Sequence, residues 1–134
     1  MSTATFRQFT IAADYRGDKQ APFSDAKYDN WNRHVVTIRN RDSGTRTTFD
    51  FWASLAEPEL RSPSDLRGAF ECFLSDAIAG EQSFEEFCGD FGYDVDSRKA
   101  EKVWKACQRA STKAKRLLGS ADLYKIAEAL RDAS

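Results

Sequence analysis

The hydrophobic pattern of the chain changes its period at Pro58 and Pro63. Before these prolines, apolar and polar residues alternate as in half-buried strands; after them, apolar residues recur every three or four positions, as in amphipathic helices. A chain that runs from strands to helices buries both by packing the helices on one side of an antiparallel sheet. The pattern therefore predicts an α+β fold with an antiparallel sheet of about three strands in the N-terminal half, packed by about four C-terminal helices. The length of 134 residues predicts a single domain, 1–134.

Capping residues predict where the helices begin. Ser62, Pro63 and Asp65 form an N-cap signal, Ser83 opens a second helix, and Ser120 is predicted to cap the last one. Residues 14–30 are polar and are predicted to form a loop. The predicted strands cover about 4–13, 31–40 and 45–52, and the predicted helices cover about 63–79, 84–91, 97–118 and 121–132.

A hairpin is predicted around Ser43-Gly44. A two-residue loop there pairs Ile38 with Phe49 and Val36 with Phe51, which makes one face of the hairpin apolar. The opposite face is then basic and partly aromatic. It carries Arg33, Val35, Thr37, Arg39, Arg41, Arg46, Thr48, Asp50 and Trp52.

The sequence contains few candidate catalytic residues. His34 is its one histidine and shares a strand face with Val36, as a core histidine would, and the three cysteines Cys72, Cys88 and Cys107 lie far apart. The cysteines are predicted to be small buried residues, and the acids near Cys88 should raise its pKa. Phosphate-binding and dinucleotide-binding glycine motifs are absent. We therefore predict no enzyme activity, no metal and no cofactor. A small hydrolase or transferase that uses His34 or Cys88 is the weaker alternative.

The near-zero net charge of -1 hides a strong segregation of charge. Residues 69–96 contain eight acids and no base, whereas residues 98–116 contain eight bases and one acid. Such blocks form solvated helix faces that suit the helix dipole, or they bind a partner of opposite charge. Phe91 is predicted to face inward on the acidic helix. The predicted partner-binding acids are Glu81, Glu85, Glu86, Asp90, Asp94 and Asp96. The alternative, nucleic-acid-binding set is Arg33, Arg39, Arg46, Trp52, Lys102, Lys105 and Arg109.

Residues 83–105, Ser-Phe-Glu-Glu-Phe-Cys-Gly-Asp-Phe-Gly-Tyr-Asp-Val-Asp-Ser-Arg-Lys-Ala-Glu-Lys-Val-Trp-Lys, resemble a segment of small phage and prophage proteins of unassigned function. The strand at 47–52 and the helix at 70–78 are similar to that group as well, so the resemblance covers about residues 30–118. Small phage accessory proteins of this kind include the anti-CRISPR proteins, which bind a host effector and block it. The resemblance transfers no functional residue.

The resulting hypothesis is a phage-encoded, non-enzymatic inhibitor that binds a host defence complex, namely an anti-CRISPR protein that blocks a CRISPR-Cas effector through steric and acidic-surface contacts. The alternative is a phage accessory protein that binds nucleic acid through the basic sheet face and the basic helix. The sequence contains no run of about eighteen apolar residues, which is the length that would predict a membrane span. The expected location is therefore the cytoplasm of the host cell. The pattern leaves the choice between monomer and homodimer open.

Overall fold

The computed structural model describes residues 2–21, 30–53 and 60–133, and it confirms the predicted α+β class. One antiparallel sheet contains four strands in the order β1-β2-β3-β4, so each strand pairs with its neighbour in sequence. The sheet has one strand more than predicted. The elements are β1 Ser2–Phe6, β2 Phe9–Gln20, β3 Asn30–Asn40, β4 Arg46–Ala53, α1 Pro63–Ala79, α2 Phe84–Phe91, α3 Arg98–Leu118 and α4 Leu123–Ala133.

The additional strand arises because the segment predicted as one strand, 4–13, belongs to a hairpin. Phe6 pairs with Phe9 across a two-residue turn at Arg7 and Gln8, and Arg7 has a φ of 51°. Tight hairpin turns are usually marked by Gly or Asn, which adopt positive φ at little cost. The turn therefore carries no sequence signal, and the prediction of one strand was wrong.

Strand β2 also continues into the segment predicted as a loop. Its pairing with β3 reaches Gln20, with a register shift between Tyr15 and Asp18 where Gly17 has a φ of 93°. A bulge of this kind lets a strand continue through a polar stretch that lacks the two-residue alternation. The rest of the predicted loop, 22–29, lies outside the described residues.

The β3–β4 register differs from the prediction by two residues. Val36 pairs with Phe49 and Ile38 with Thr47, around a four-residue loop in which Gly44 donates to the carbonyl of Asn40 at 2.8 Å. Buried Asn40 anchors this loop, since its Nδ2 donates to the carbonyl of Leu117 at 3.0 Å. An even shift keeps every side chain on its predicted face. Apart from Arg41, which lies beyond the end of β3, the apolar and basic faces are therefore as predicted, although the individual pairs are not.

Two of the three predicted capping residues lie directly before the helices that they were predicted to cap. Ser62 Oγ accepts from the backbone N–H of Asp65 at 3.0 Å, and the carboxylate of Asp65 accepts from the N–H of Ser62 at 3.2 Å, which is the predicted capping box. Ser83 caps α2 as predicted. Ser120 was wrongly predicted to cap the last helix, because Asp122 Oδ1 accepts from the N–H of Tyr124 at 2.9 Å and α4 begins at Leu123.

The main core lies between one face of the sheet and the helices α1, α4 and the C-terminal part of α3. Phe9 meets Phe70 edge to face at 5.2 Å, and Phe49 stacks on Phe73 at 4.4 Å between ring centroids. Aromatic pairs of this geometry stabilise a core beyond the area that they bury. The opposite face of the sheet points away from this core.

A second, smaller core joins the end of α1 to α2 and the N-terminal part of α3. Phe87, Cys88 and Ala100 are buried in it, and Trp104 Nε1 donates to the carbonyl of Gln82 at 3.1 Å. At Gly80 the two long helices approach so closely that a Cβ there would lie 2.2 Å from the carbonyl oxygen of Cys107. This close approach places α2 beside the end of α1.

Candidate interaction surfaces

A concave surface lies between the end of α1, α2 and α4, with a volume of about 510 Å³. Three of its residues are acidic, and two are aromatic side chains that are 56% exposed, Phe91 and Tyr124. We call this surface the acidic groove. Its lining consists of Ser75, Ile78, Ala79, Glu81, Gln82, Glu86, Asp90, Phe91 and Tyr124.

Glu81 ties the acidic groove to two neighbouring helices. Its carboxylate accepts from Tyr124 Oη at 2.7 Å and lies 3.2 Å from Lys115 Nζ. The bond from Tyr124, followed by the interaction with Lys115, lowers the pKa of Glu81, and the same bond raises the pKa of Tyr124. Glu81 is therefore ionised at neutral pH, and part of its charge is used inside the molecule.

The other two acids of the groove are held by local contacts. Glu86 accepts from Ser83 Oγ at 3.1 Å, and Asp90 accepts from the side-chain amide of Gln82. Neither contact involves a basic side chain, so neither contact is an ion pair. Glu86 and Asp90 are exposed and are the groove acids that a partner can reach.

The structure brings together half of the predicted acidic set. Glu85 is exposed on α2 but does not line the groove, and Asp94 and Asp96 lie in the connection between α2 and α3. Asp94 Oδ1 accepts from the backbone N–H of Asp96 at 3.2 Å, which is a local turn contact. Glu81, Glu86 and Asp90 are therefore the predicted acids that share one concave surface.

Sequence reasoning missed both aromatic groups of the groove. Phe91 was predicted to face inward, yet it is 56% exposed and touches Phe87 from the end of α2, with ring centroids 4.8 Å apart. The helix ends there at Gly92, so no further turn covers Phe91. Tyr124 comes from a different helix, and its contact with Glu81 spans 43 positions. Such a long-range contact leaves no periodic signal.

The side of the sheet that points away from the main core forms a second surface, which we call the open sheet face. Arg33 lies opposite Trp52 across the strands, Arg39 lies opposite Arg46, and Arg33 is paired with Asp50 at 3.1 Å. Arg41 was predicted on this face but lies in the turn after β3, where its guanidinium donates to the carbonyl of Gln8 at 3.3 Å. The face consists of Thr3, Thr5, Thr10, Ala12, Asp14, Lys19, Trp31, Arg33, Val35, Thr37, Arg39, Arg46, Thr48, Asp50 and Trp52.

The predicted nucleic-acid-binding set is split between two places. Its sheet members, Arg33, Arg39, Arg46 and Trp52, share the open sheet face. Its helix members are exposed on α3, whose N-terminal part packs in the second core, and Lys105 is paired with Glu101 at 2.9 Å. The helix members Lys102, Lys105 and Arg109 therefore belong to a different surface.

The candidate catalytic groups are buried. His34 is 1% exposed on the core side of β3 and lies beside the ring of Tyr15, with centroids 5.3 Å apart. Burial raises the pKa of Cys88, and the negative charge of Asp94 raises it further. Burial also raises the pKa of Cys107, to about 11. Both thiols are protonated at neutral pH and are poor nucleophiles.

The third cysteine, Cys72, differs from the other two in its exposure. Cys72 is exposed, which contradicts the prediction that all three cysteines are buried. Within residues 2–21, 30–53 and 60–133, no three His, Cys, Asp or Glu side chains are grouped so that they could hold a metal ion. In the same residues, no helix is long and apolar enough to cross a membrane.

No protein-family description matches the chain, and no curated protein sequence matches it either.

Proposed function

We propose that the protein is a non-enzymatic inhibitor that binds a basic surface of a host defence complex through the acidic groove. The observation that carries this proposal is the combination, in one concave surface, of exposed carboxylates with exposed aromatic side chains. Glu86 and Asp90 are exposed, and Phe91 and Tyr124 are both 56% exposed beside them. Exposed aromatic residues in a groove are typical anchors of protein interfaces.

The charge of the groove indicates the chemistry of its partner. Carboxylates that have no basic neighbour attract Lys and Arg side chains, and this attraction both speeds association and orients the partner. Lys and Arg side chains that normally hold DNA or RNA phosphates fit this requirement. A protein that occupied them would compete directly with the nucleic acid.

The choice of a defence complex as the partner rests on the resemblance of residues 30–118 to small phage proteins. On that basis the partner is a CRISPR-Cas effector, the protein is an anti-CRISPR protein of phage origin, and it acts in the cytoplasm of the infected cell. Enzyme activity has no part in this proposal, because binding alone blocks the effector.

An inhibition assay with matched variants tests the proposal. The assay measures cleavage of target DNA by a purified CRISPR-Cas effector, with the inhibitor titrated from sub-stoichiometric amounts. Glu86→Gln combined with Asp90→Asn removes two charges while keeping side chains that can accept the local hydrogen bonds. We expect at least a tenfold loss of inhibitory potency, since charged interface pairs commonly contribute more than about 1.4 kcal/mol.

Two exposed acids of α4, Glu128 and Asp132, provide the control. Glu128→Gln combined with Asp132→Asn changes the net charge equally but lies outside the groove lining, so inhibition should stay within twofold of the unmodified protein. Phe91→Ala should weaken inhibition without changing the charge. Equal inhibition by the groove and control variants, or no inhibition of any effector tested, would refute the proposal.

A further inference from the structure

We infer that the open sheet face binds single-stranded nucleic acid, with Arg39 and Arg46 on phosphate and Trp52 stacked on a base. This surface shares no residue with the acidic groove, so the inference stands independently of the proposed inhibitor function.

The first reason to expect nucleic acid on this face is a pair of arginines that lie opposite each other. Arg39 and Arg46 occupy directly opposed positions of β3 and β4. Opposed residues on one face have Cβ atoms about 5 Å apart, and like charges at that distance repel each other. Within the described residues neither guanidinium has an acidic partner, and both side chains are exposed. An external anion between the two guanidinium groups would relieve this repulsion.

The acids of the face are already paired. Asp50 lies 3.1 Å from Arg33, and Asp14 lies 3.1 Å from Arg16, so each acid has its own arginine. The acids of the face therefore do not neutralise Arg39 and Arg46. Two adjacent positive charges, Arg39 and Arg46, therefore lie at the end of the sheet next to the β3–β4 loop, whereas Lys19 lies opposite Trp31 toward the other end.

The other end of the face is aromatic. Trp52 lies six residues from Arg46 along β4, which corresponds to about 20 Å at the usual rise of a strand. Between them the face carries Thr37 opposite Thr48, with their hydroxyl oxygens 3.4 Å apart, and Val35 opposite Asp50, whose carboxylate is paired with Arg33. The result is a track along β3 and β4 with the two opposed arginines at one end and Trp52 at the other.

A single strand fits this track better than a duplex does. Duplex DNA is read by a helix or a two-stranded ribbon that enters its major groove, whereas this face spans a sheet of four strands. Unstacked bases, in contrast, stack on the aromatic residues of an open sheet while arginines bind the backbone. A length of about 20 Å suits a short site, such as the roughly four nucleotides of the smallest single-strand sites. DNA and RNA share this chemistry.

Fluorescence anisotropy with labelled twelve-nucleotide oligomers tests the inference. Poly-dT, poly-U and a duplex of the same length form the three arms, and each is titrated at several salt concentrations. We expect binding to one or both single strands and at least tenfold weaker binding to the duplex. Arg39→Gln combined with Arg46→Gln should weaken single-strand binding at least tenfold and reduce the salt slope by about 1.4, since each lost phosphate contact removes about 0.7.

Two lysines of α3, Lys102 and Lys105, give a control with the same loss of charge. Lys102→Gln combined with Lys105→Gln should change the affinity by less than twofold. Intrinsic fluorescence adds a second readout, because stacking on Trp52 should quench its emission. Trp52→Phe should remove most of that quenching, and Trp104→Phe in the second core should not.

Failure of this inference is distinguishable from failure of the proposed inhibitor function. The groove variant Glu86→Gln with Asp90→Asn should bind the oligomers as the unmodified protein does. Absence of single-strand binding, tighter binding to the duplex, or equal losses in the arginine and lysine variants would overturn the inference.

Discussion

At the scale of single residues, Arg39 and Arg46 stand out because they oppose local stability. Opposed like charges on a sheet face destabilise it by roughly 0.2–1 kcal/mol relative to neutral pairs. No acid within the described residues forms an ion pair with either side chain. Residues that break a local rule without compensation in the structure are expected at binding sites.

Replacing one arginine by an acid should therefore stabilise the fold. Arg46→Glu converts the repulsive pair into an attractive one opposite Arg39, and the free energy of unfolding should rise by about 0.2–1 kcal/mol. Urea denaturation at low salt measures this change, and 1 M salt should reduce it because the pair is exposed. Arg109→Glu on α3 makes the same charge change elsewhere. A loss of stability in Arg46→Glu, or a gain equal to that of Arg109→Glu, would contradict the expectation.

At the scale of elements, the start of α1 is the clearest case of local sequence fixing local structure. Ser62 and Asp65 exchange hydrogen bonds at 3.0 and 3.2 Å, which satisfies two backbone donors at the helix start. Ser62→Ala should lower the free energy of unfolding by about 0.5–2 kcal/mol. Ser64→Ala removes an exposed serine two positions later and should have little effect. Comparable losses in both variants would show that the cap is unimportant.

The cap of α1 should also make the stability of the protein depend on pH. Hydrogen bonds from the backbone and side chain of Ser62 lower the pKa of Asp65 below its ordinary value of 3.8. A lowered pKa means that the contribution is present above pH 3.8 and is lost as the pH falls through the value in the folded protein. The stability difference between the unmodified protein and Asp65→Asn, which has no charge for these bonds to stabilise, should therefore shrink at the acidic end of a urea titration series from pH 7 to pH 2. A constant difference over that range would contradict this linkage.

The elements that were predicted well are those whose signals are local. Helix caps such as Ser62 and Ser83 act within one turn, and the alternation in β3 and β4 fixes which side chains share a face. The β3–β4 register was missed because buried Asn40 is bonded to the carbonyl of Leu117, 77 positions away. The β1–β2 turn was missed because Arg7 takes a positive φ without being Gly or Asn.

The two candidate surfaces were likewise predictable only where local sequence signals place their residues together. The open sheet face was predictable because strand alternation alone places Arg39, Arg46 and Trp52 together. The acidic groove was predicted in part, since its acids lie in one stretch of sequence whereas Tyr124 joins them from α4. A concave surface made by three helices depends on how the helices cross, which no local pattern specifies.

At the scale of the whole molecule, the two candidate surfaces lie on different parts of the fold. The acidic groove belongs to the helices at the end of α1, whereas the open sheet face lies on the side of the sheet turned away from the main core. The ion pair between Lys115 and Glu81 joins the acidic block to the basic helix. Glu86 and Asp90 form no ion pair with a basic side chain among the described residues, so both are left for a partner to bind.

The two cores are held together where α1 and α3 approach at Gly80. Its φ of -70° suits any residue, so the reason for glycine here is space rather than backbone conformation. A Cβ would lie 2.2 Å from the carbonyl oxygen of Cys107 and 2.6 Å from the backbone nitrogen of Gln108. Backbone atoms cannot move aside as a flexible side chain can, so α1 and α3 would have to separate.

Gly80→Ala should therefore destabilise the protein by about 1–3 kcal/mol, the usual cost of overpacking. Gly68→Ala is the matched control in the same helix, because no atom lies within 4 Å of its added Cβ. It should stabilise α1 by about 0.5–1 kcal/mol through the higher helix propensity of alanine. Chemical denaturation measures both changes, and hydrogen exchange locates them. Faster exchange in Gly80→Ala should concentrate at the α1–α3 crossing and in α2, and it should be smaller in the sheet. If Gly80→Ala were as stable as Gly68→Ala, the helices would not meet as closely as the structure has them.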